Sequence, residues 1–450
     1  MSPELRPYQQ EDVAFLEKLD SAGCFNEQRT GKTPTALILA SPYKKILIIC
    51  PGSAMPQWKD EFEKWLGRPC ITLIGTPQKR NDLFAQWTDG LIVSYDIFKS
   101  TLKGAGLVKD IVKHPPDFMI VDEAHRIKNP KSAAAKSVFA CKKFTKKLAL
   151  TATPAHGKSQ EIYSILHWLY PTRFTGYWAF VDEFFAQEKK WGANGTQFID
   201  IGGYLPGKEL ELQQYLATIS TQRKRKEVMP WLPLKDYTQI RLEPTKHQTK
   251  YLAELQQFYE TEHVITQGTL DRLIRYRQIC LAPALLDLKG ESPKSEWIKQ
   301  YLKDYPEESV IIFSKFTSYL KLLQQELLEF EPALMIGATP IPFRKILVNE
   351  FQKKRTRILL LNLDVGKEAL TLDTATTTIF CDKYPPIGDI AQAEDRFVST
   401  TEDKKDKPHK IIELMIKDTY DEELYKLLES RASETDVLNN YKLYLERRKL

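Results

Sequence analysis

Three short stretches carry the residue types needed to bind and cleave a nucleoside triphosphate. The loop NEQRTGKTPTALILA (26–40) ends in Gly31-Lys32-Thr33 and runs into a helical pattern. A polyphosphate needs backbone N–H groups turned inward, an ammonium near the β- and γ-phosphates and a hydroxyl for Mg²⁺. Gly31, Lys32 and Thr33 supply those types in phosphate-loop order. Asn26 stands where the first glycine of that pattern is usual, so the loop alone also fits a solvated turn entering a helix. Next, apolar FMIV runs straight into Asp122-Glu123-Ala124-His125, putting two acids at the end of a buried strand. One carboxylate there can hold Mg²⁺ through water while the next orients the water that attacks the γ-phosphate. A further apolar run ends in Thr151-Ala152-Thr153. The acids follow the Gly-Lys-Thr loop by about ninety residues, and the three together point to a nucleotide-hydrolysing fold.

The elements that must position these residues are short runs rich in Ile, Leu and Val. They occur at 45–53, 90–96, 118–125, 147–154, 309–316, 357–364 and 377–382. Apolar runs of this kind, separated by helical patterns such as 57–66 and 343–354, predict strands buried on both faces of parallel sheets. The fold class is therefore α/β. The runs fall into two groups, which predicts a first lobe over 1–170 and a second over 296–417. A largely helical insert and linker is expected over 171–295, and a terminal helix over 418–450, which reads most simply as packing along a lobe.

Composition narrows the function classes. Of 450 residues, 42% are hydrophobic and 28% charged, which excludes wholesale disorder. The net charge of +6 is too mild to reveal a nucleic-acid binder, so local clusters must be weighed. No apolar stretch approaches the roughly 18 residues of a membrane span, and the start shows no export signal. The six cysteines lie far apart with no Cys-x-x-Cys pair, which argues against zinc and for buried thiols. A cytoplasmic protein is expected.

At this point the residues resemble a family. The series is similar to the Swi/Snf-type branch of superfamily-two helicases, with DEAHRIKN (122–129) the most specific match. LRPYQQEDVAFL (5–16) resembles that family's glutamine motif, and NEQRTGKT (26–33) its phosphate loop, which also lacks the first glycine. ILIICPGSAMPQWKDEFEKW (46–65), IVSYDIF (92–98) and LALTATPAHG (148–157) match motifs that follow in order. RKRKEVMPWLPLK (223–235), LIRYRQICLAPAL (273–285), VIIFSKFTSYLKLL (310–323) and Gln392-Ala393-Glu394-Asp395-Arg396 continue the order to about residue 425. The resemblance implies two RecA-like lobes and an ATP-hydrolysing DNA motor using ATP and Mg²⁺. It implies adenine reading by Gln9 and phosphate contact by Arg29, Thr30, Gly31, Lys32 and Thr33. Thr33 and Asp122 would hold the metal, and Glu123 the attacking water. His125, Thr151 and Thr153 would relay nucleotide state, while Gln392 and Arg396 would close on the phosphates from the second lobe. The near-minimal length suggests a compact bacterial or phage member.

Two departures stand out. In VGKEALTLDTA (365–375) the family's glycines are largely replaced, leaving Gly366, and Ser399 stands where a second arginine is usual. These motivate the alternative reading, a nucleotide-responsive DNA-binding scaffold with weak or no hydrolysis. A strand-separating helicase is a third output of the same machinery. For DNA, with duplex favoured and phosphates the main contact, the candidate clusters are Arg223, Lys224, Arg225 and Lys226, and Lys142, Lys143, Lys146 and Lys147. Taken without the resemblance, each fits a solvated helix face better. Trp58, Tyr95 and Phe316 have the shape to stack on bases, although aromatics at strand ends commonly belong to the core.

Overall fold

The computed structural model describes residues 4–100, 106–144, 146–155, 158–191, 197–230, 235–258, 260–366, 372–384, 390, 394, 408–429 and 434–447. The chain divides into two compact units, Met1–Pro230 and Trp231–Leu450. Each is an α/β lobe on one parallel sheet. No helix among the described residues is long and apolar enough to cross a membrane, and all six cysteines are buried and unpaired.

In the first unit the strands are β1 (Ser21–Cys24), β2 (Ile46–Cys50), β3 (Cys70–Thr72), β4 (Gly90–Ser94), β5 (Phe118–Asp122) and β6 (Lys147–Leu150). A hairpin of β7 (Phe185–Trp191) and β8 (Gln197–Tyr204) and the short β9 (Ser220–Thr221) follow. The sheet order is β3-β4-β2-β5-β6-β1-β9, every described pairing parallel. β2, β4 and β6 are buried along their whole length, as continuous apolar runs in a doubly covered sheet require. Leu47, Ile49, Val93, Met119 and Val121 face a core completed by Trp168, Phe180 and Phe184 from helices that follow β6.

The second unit holds β10 (Lys235–Leu242), a small hairpin of β11 (Glu260–Thr261) and β12 (Val264–Ile265), β13 (Val310–Ser314), β14 (Ala333–Met335), β15 (Ile358–Asn362), β16 (Thr377–Phe380) and β17 (His409–Ile416). Its sheet order is β10-β17-β16-β13-β15-β14, again parallel. Two helices close the chain, Tyr420–Glu429 and Glu434–Arg447. Tyr420, Leu424, Tyr441 and Tyr444 pack into the same core as Phe313 and Phe380.

The segment 171–295, expected as one helical insert, is divided between the units. Its first part supplies β7, β8 and β9 to the first unit, and its second part supplies β10 to the second sheet. The physical reason is exposure. β7 and β8 form a two-stranded ribbon whose residues are mostly exposed, and β10 is an edge strand. None of the three carries the apolar run of a doubly buried strand. The tail expected as one helix over 418–450 is a helical pair.

Candidate active site

β6 lies between β1 and β5, and the register places Cys24, Leu150 and Asp122 level across the three strands. Neighbouring strands lie about 4.8 Å apart, so the loops leaving these strands start within roughly 10 Å of one another. They are the phosphate loop, Asp122-Glu123 and Thr151-Ala152-Thr153. They leave the carboxyl edge of a parallel sheet, where such folds bind ligands.

The phosphate loop is held from behind by the helix Pro7–Leu16. Tyr8 donates its hydroxyl to the Thr30 carbonyl at 2.9 Å, and Gln9 Nε2 donates to the Thr30 and Gly31 carbonyls, each at 3.2 Å. Gln9 Oε1 accepts the Arg6 N–H at 2.8 Å, so both ends of this buried amide are engaged. Thr30 Oγ1 donates to the Glu27 carbonyl at 2.8 Å. Arg29 and Gly31 take left-handed backbone, φ +61° and +78°. Gly31 then starts the helix Lys32–Ala40, with Thr33 half-buried in its first turn. Lys32 Nζ donates to the Asn26 carbonyl at 2.9 Å and the Glu27 carbonyl at 3.1 Å.

Glycine at position 31 is required twice. A Cβ there would lie 2.0 Å from Gln9 Nε2, on a backbone that side chains rarely adopt. The left-handed conformation alone costs a non-glycine residue about 1–2 kcal/mol, roughly tenfold in an equilibrium constant. Gly31→Ala should therefore weaken ATP binding by about 10-fold or more through loss of the loop's shape. Titration with a fluorescent ATP analogue checks this; wild-type affinity would remove the loop from the binding site.

Asp122 is wedged into the sheet edge. Trp58 Nε1 donates to its Oδ2 at 2.8 Å, and the Glu123 N–H donates to its Oδ1 at 2.9 Å. Burial, with the Glu123 charge beside it, pushes the Asp122 carboxyl up to about 6, against the pull of the Trp58 bond and the Lys32 cation. Glu123 takes φ +48°, a conformation that costs a non-glycine residue energy and clusters at functional sites. The Tyr95 hydroxyl donates to the Asp122 carbonyl at 2.7 Å and helps fix this turn. His125 Nδ1 lies 3.2 Å from Glu123 Oε2 and 3.2 Å from Thr151 Oγ1, and Thr151 Oγ1 accepts the Thr153 N–H at 3.2 Å. The two motifs are thus joined through one imidazole.

Several residues do other work than the sequence suggested. Trp58 and Tyr95 are buried and tie down the acidic turn instead of presenting faces to bases. Lys147 is buried, its ammonium donating to the carbonyls of Lys142, Trp168 and Leu169 at 2.7, 2.8 and 3.1 Å, and burial pushes its pKa down to about 8. Lys146 reaches the Leu19 carbonyl at 3.1 Å and Asp20 at 3.1 Å. Phe316 in the second unit lies under the Arg277 guanidinium at 4.9 Å.

Arg223 belongs to the phosphate loop. Its Nε donates to Asp12 Oδ1 at 2.8 Å, and the same buried carboxylate accepts Asn26 Nδ2 at 2.7 Å. The Arg223 N–H donates to Asn26 Oδ1 at 2.9 Å, the Glu27 N–H to the Arg223 carbonyl at 2.9 Å, and the Arg225 N–H to Glu27 Oε2 at 2.7 Å. Asn26 at the lost glycine position is the hub of this lacing. Neither Asp12 nor the structural use of Arg223 was visible in the sequence, because their partners are about two hundred residues apart. Arg223→Ala leaves a buried carboxylate short of its cation, and should cost about 1–3 kcal/mol. That is a melting shift of several degrees at ~2–4 °C per kcal/mol. Calorimetry checks it; an unchanged melting temperature would return Arg223 to the pool of surface cations.

Gln392, Arg396 and Ser399 lie outside the described residues, as do 367–371 of the glycine-poor segment; Gly366 ends the short helix Leu363–Gly366.

The chain is similar to known proteins over most of its length. The model described as SNF2-related domain matches residues 8–285, and that described as helicase conserved C-terminal domain matches 293–400. The chain is 25% identical over 423 residues to the DNA annealing helicase and endonuclease ZRANB3 of Bos taurus, covering 87% of this chain and 37% of that protein. It is 26% identical over 439 residues to the probable ATP-dependent DNA helicase CHR23 of Arabidopsis thaliana, covering 87% and 40%. The Sulfolobus solfataricus SWI2/SNF2 ATPase core in complex with dsDNA overlays with a TM-score of 0.45 and 20% identity, covering 95% of this chain and 91% of that one. The chain spans well under half the length of these curated relatives. With the SNF2-related match extending over more than half its residues, the chain belongs to the SNF2-related family.

Proposed function

We propose that this chain is a DNA-dependent ATPase motor of the DEAH type, coupling ATP hydrolysis to movement along duplex DNA. The observation that carries this reading is the convergence of the phosphate loop, Asp122-Glu123 and Thr151 at one sheet edge. Lys32 would leave the Asn26 and Glu27 carbonyls to meet the β- and γ-phosphates, and the loop N–H groups behind it would wrap the polyphosphate. Glu123 would hold the attacking water, with His125 passing the state of that carboxylate to Thr151. Gln9 would meet adenine while its amide braces the loop.

The donor set also fits Mg²⁺. The buried Asp122 carboxyl binds protons more tightly than an ordinary carboxyl, so its ionised form lacks full compensation from the protein. Mg²⁺ in such sites takes one or two protein oxygens and completes its shell with phosphates and water. Asp122 and the Thr33 hydroxyl would hold it, and it would supply charge neutralisation at the phosphates. Of its surroundings the proposal requires only a compartment that contains ATP and DNA.

With Arg223 committed to Asp12, the exposed Lys224 and Lys226 are the phosphate-contact candidates of that run. Replacing both with alanine should lower the slope of log K against log salt for duplex binding by about 2, at ~0.9 per released counterion. Duplex titrations across a salt series measure it, and an unchanged slope would place the DNA elsewhere. Motor output is tested by ATP-driven displacement of a third strand from a triplex. Displacement that needs ATP hydrolysis supports translocation. ATP-dependent DNA binding with no displacement would favour the scaffold reading.

A further inference from the structure

Asp122 is held from two sides within the first unit. The Glu123 N–H, in its own turn, donates to Oδ1 at 2.9 Å, and the Trp58 indole N–H donates to Oδ2 at 2.8 Å. A carboxylate offers about four acceptor sites. One N–H on each oxygen therefore restrains the plane of the group and still leaves each oxygen room for a ligand. The Tyr95 hydroxyl fixes the backbone of the same residue through its carbonyl, at 2.7 Å.

The indole reaches Asp122 by a short route. β2 lies beside β5 with Ile49 level with Val121, so the chain leaving β2 passes the end of β5. It turns through Gly52–Ala54 and enters the helix Met55–Leu66. Met55, Trp58 and Phe62 are the buried residues of that helix, at the spacing of one helical face. A phenylalanine would serve such a stripe as well as a tryptophan does. Tryptophan adds an N–H, and a buried indole N–H calls for an acceptor. Trp58 is only 2% exposed, so the packing that holds the ring also holds the direction of that N–H.

We infer that Trp58 is a positioning residue for the divalent cation: its indole N–H sets the orientation in which the Asp122 carboxylate meets the metal. The inference rests on the reading that Asp122 holds Mg²⁺. It adds that the helix after β2 tunes metal affinity through one hydrogen bond. A ring that only fills the core would change stability and leave the metal affinity of the folded protein alone. A positioning donor changes that affinity, because groups that orient a metal's ligands are worth about 10–100-fold in binding.

The test uses the full chain saturated with ADP and titrated with Mn²⁺, the free ion being read by electron paramagnetic resonance. Trp58→Phe keeps an aromatic ring and removes the donor. Benzothienylalanine incorporated at position 58 keeps the shape of the indole and removes only the N–H. Asp122→Asn and the Trp58→Phe/Asp122→Asn double variant complete the set. Both changes at Trp58 should weaken Mn²⁺ binding by about 10-fold or more, with metal-free ADP affinity unchanged. The double variant should bind Mn²⁺ no more weakly than Asp122→Asn, since Trp58 acts only through that carboxylate. If Trp58→Phe does not fold, benzothienylalanine carries the test. Wild-type or tighter Mn²⁺ binding in either folded variant overturns the inference. So do losses that multiply in the double variant, and so does an equal loss of metal-free ADP affinity. Wild-type Mn²⁺ binding in Asp122→Asn would instead overturn the reading beneath it, so the two failures are distinguishable.

Discussion

Glu123→Gln should bind ATP within a few-fold of wild type and lose turnover by about 10²–10⁴-fold, the usual contribution of a positioned general base. The substitution preserves size and leaves untouched the phosphate loop, to which the proposed function gives nucleotide binding. It removes the one carboxylate poised on the left-handed turn after β5 with His125 at 3.2 Å. Glutamine can still hydrogen-bond to that imidazole but cannot take a proton from water at neutral pH. Lys32→Ala is the opposite case: its ammonium is the cation of the phosphate loop, so ATP affinity itself should fall. Equilibrium binding and single-turnover hydrolysis on both variants separate the roles. Wild-type turnover in Glu123→Gln would show that another group orients the water.

Arg396→Ala should lower turnover by at least ~10²-fold with little loss of ATP affinity. An arginine aimed at the γ-phosphate is worth about 10³–10⁵ in rate where phosphoryl-transfer enzymes use one. Such an arginine acts on charge that develops in the transition state, so its removal appears in kcat before it appears in binding. In the motif proposed here Arg396 is the arginine, and Ser399, three positions on, supplies no positive charge. Ser399→Arg should accordingly raise turnover if that position faces the phosphates. Steady-state kinetics on the two variants decide it, and a kinetically silent Arg396→Ala would mean that the γ-phosphate draws its cation from elsewhere.

The strands that carry the acids and the threonines were legible because they are doubly buried: β2, β4, β5, β6, β13, β15 and β16 all follow the apolar runs. β1, which feeds the phosphate loop, was not, because Ser21-Ala22-Gly23-Cys24 is made of small residues without an Ile, Leu or Val signal. A Cβ on Gly23 would lie 2.4 Å from the Phe25 ring, so that ring packs directly on the backbone at this position. β10 was hidden for the opposite reason, as a mostly exposed edge strand with the polar sequence KDYTQIRL. At the site, residue types and order located the loops, but hydrogen bonds between distant segments assigned the work. Nothing local in the sequence shows that Arg223 closes on Asp12 or that Trp58 holds Asp122. Clusters of lysine and arginine were least reliable as a guide. Lys147 is a buried donor to three carbonyls, and counting it as a DNA contact counted the core as surface.

In the proposed motor, nucleotide turnover is tied to DNA. The most direct test is ATP hydrolysis by the purified chain at fixed low salt with no DNA, with single-stranded DNA and with duplex DNA. A motor of this kind should turn over slowly alone, be strongly stimulated by duplex, and lose that stimulation as salt rises, because phosphate contacts carry the binding. Turnover that is the same under all three conditions would contradict it.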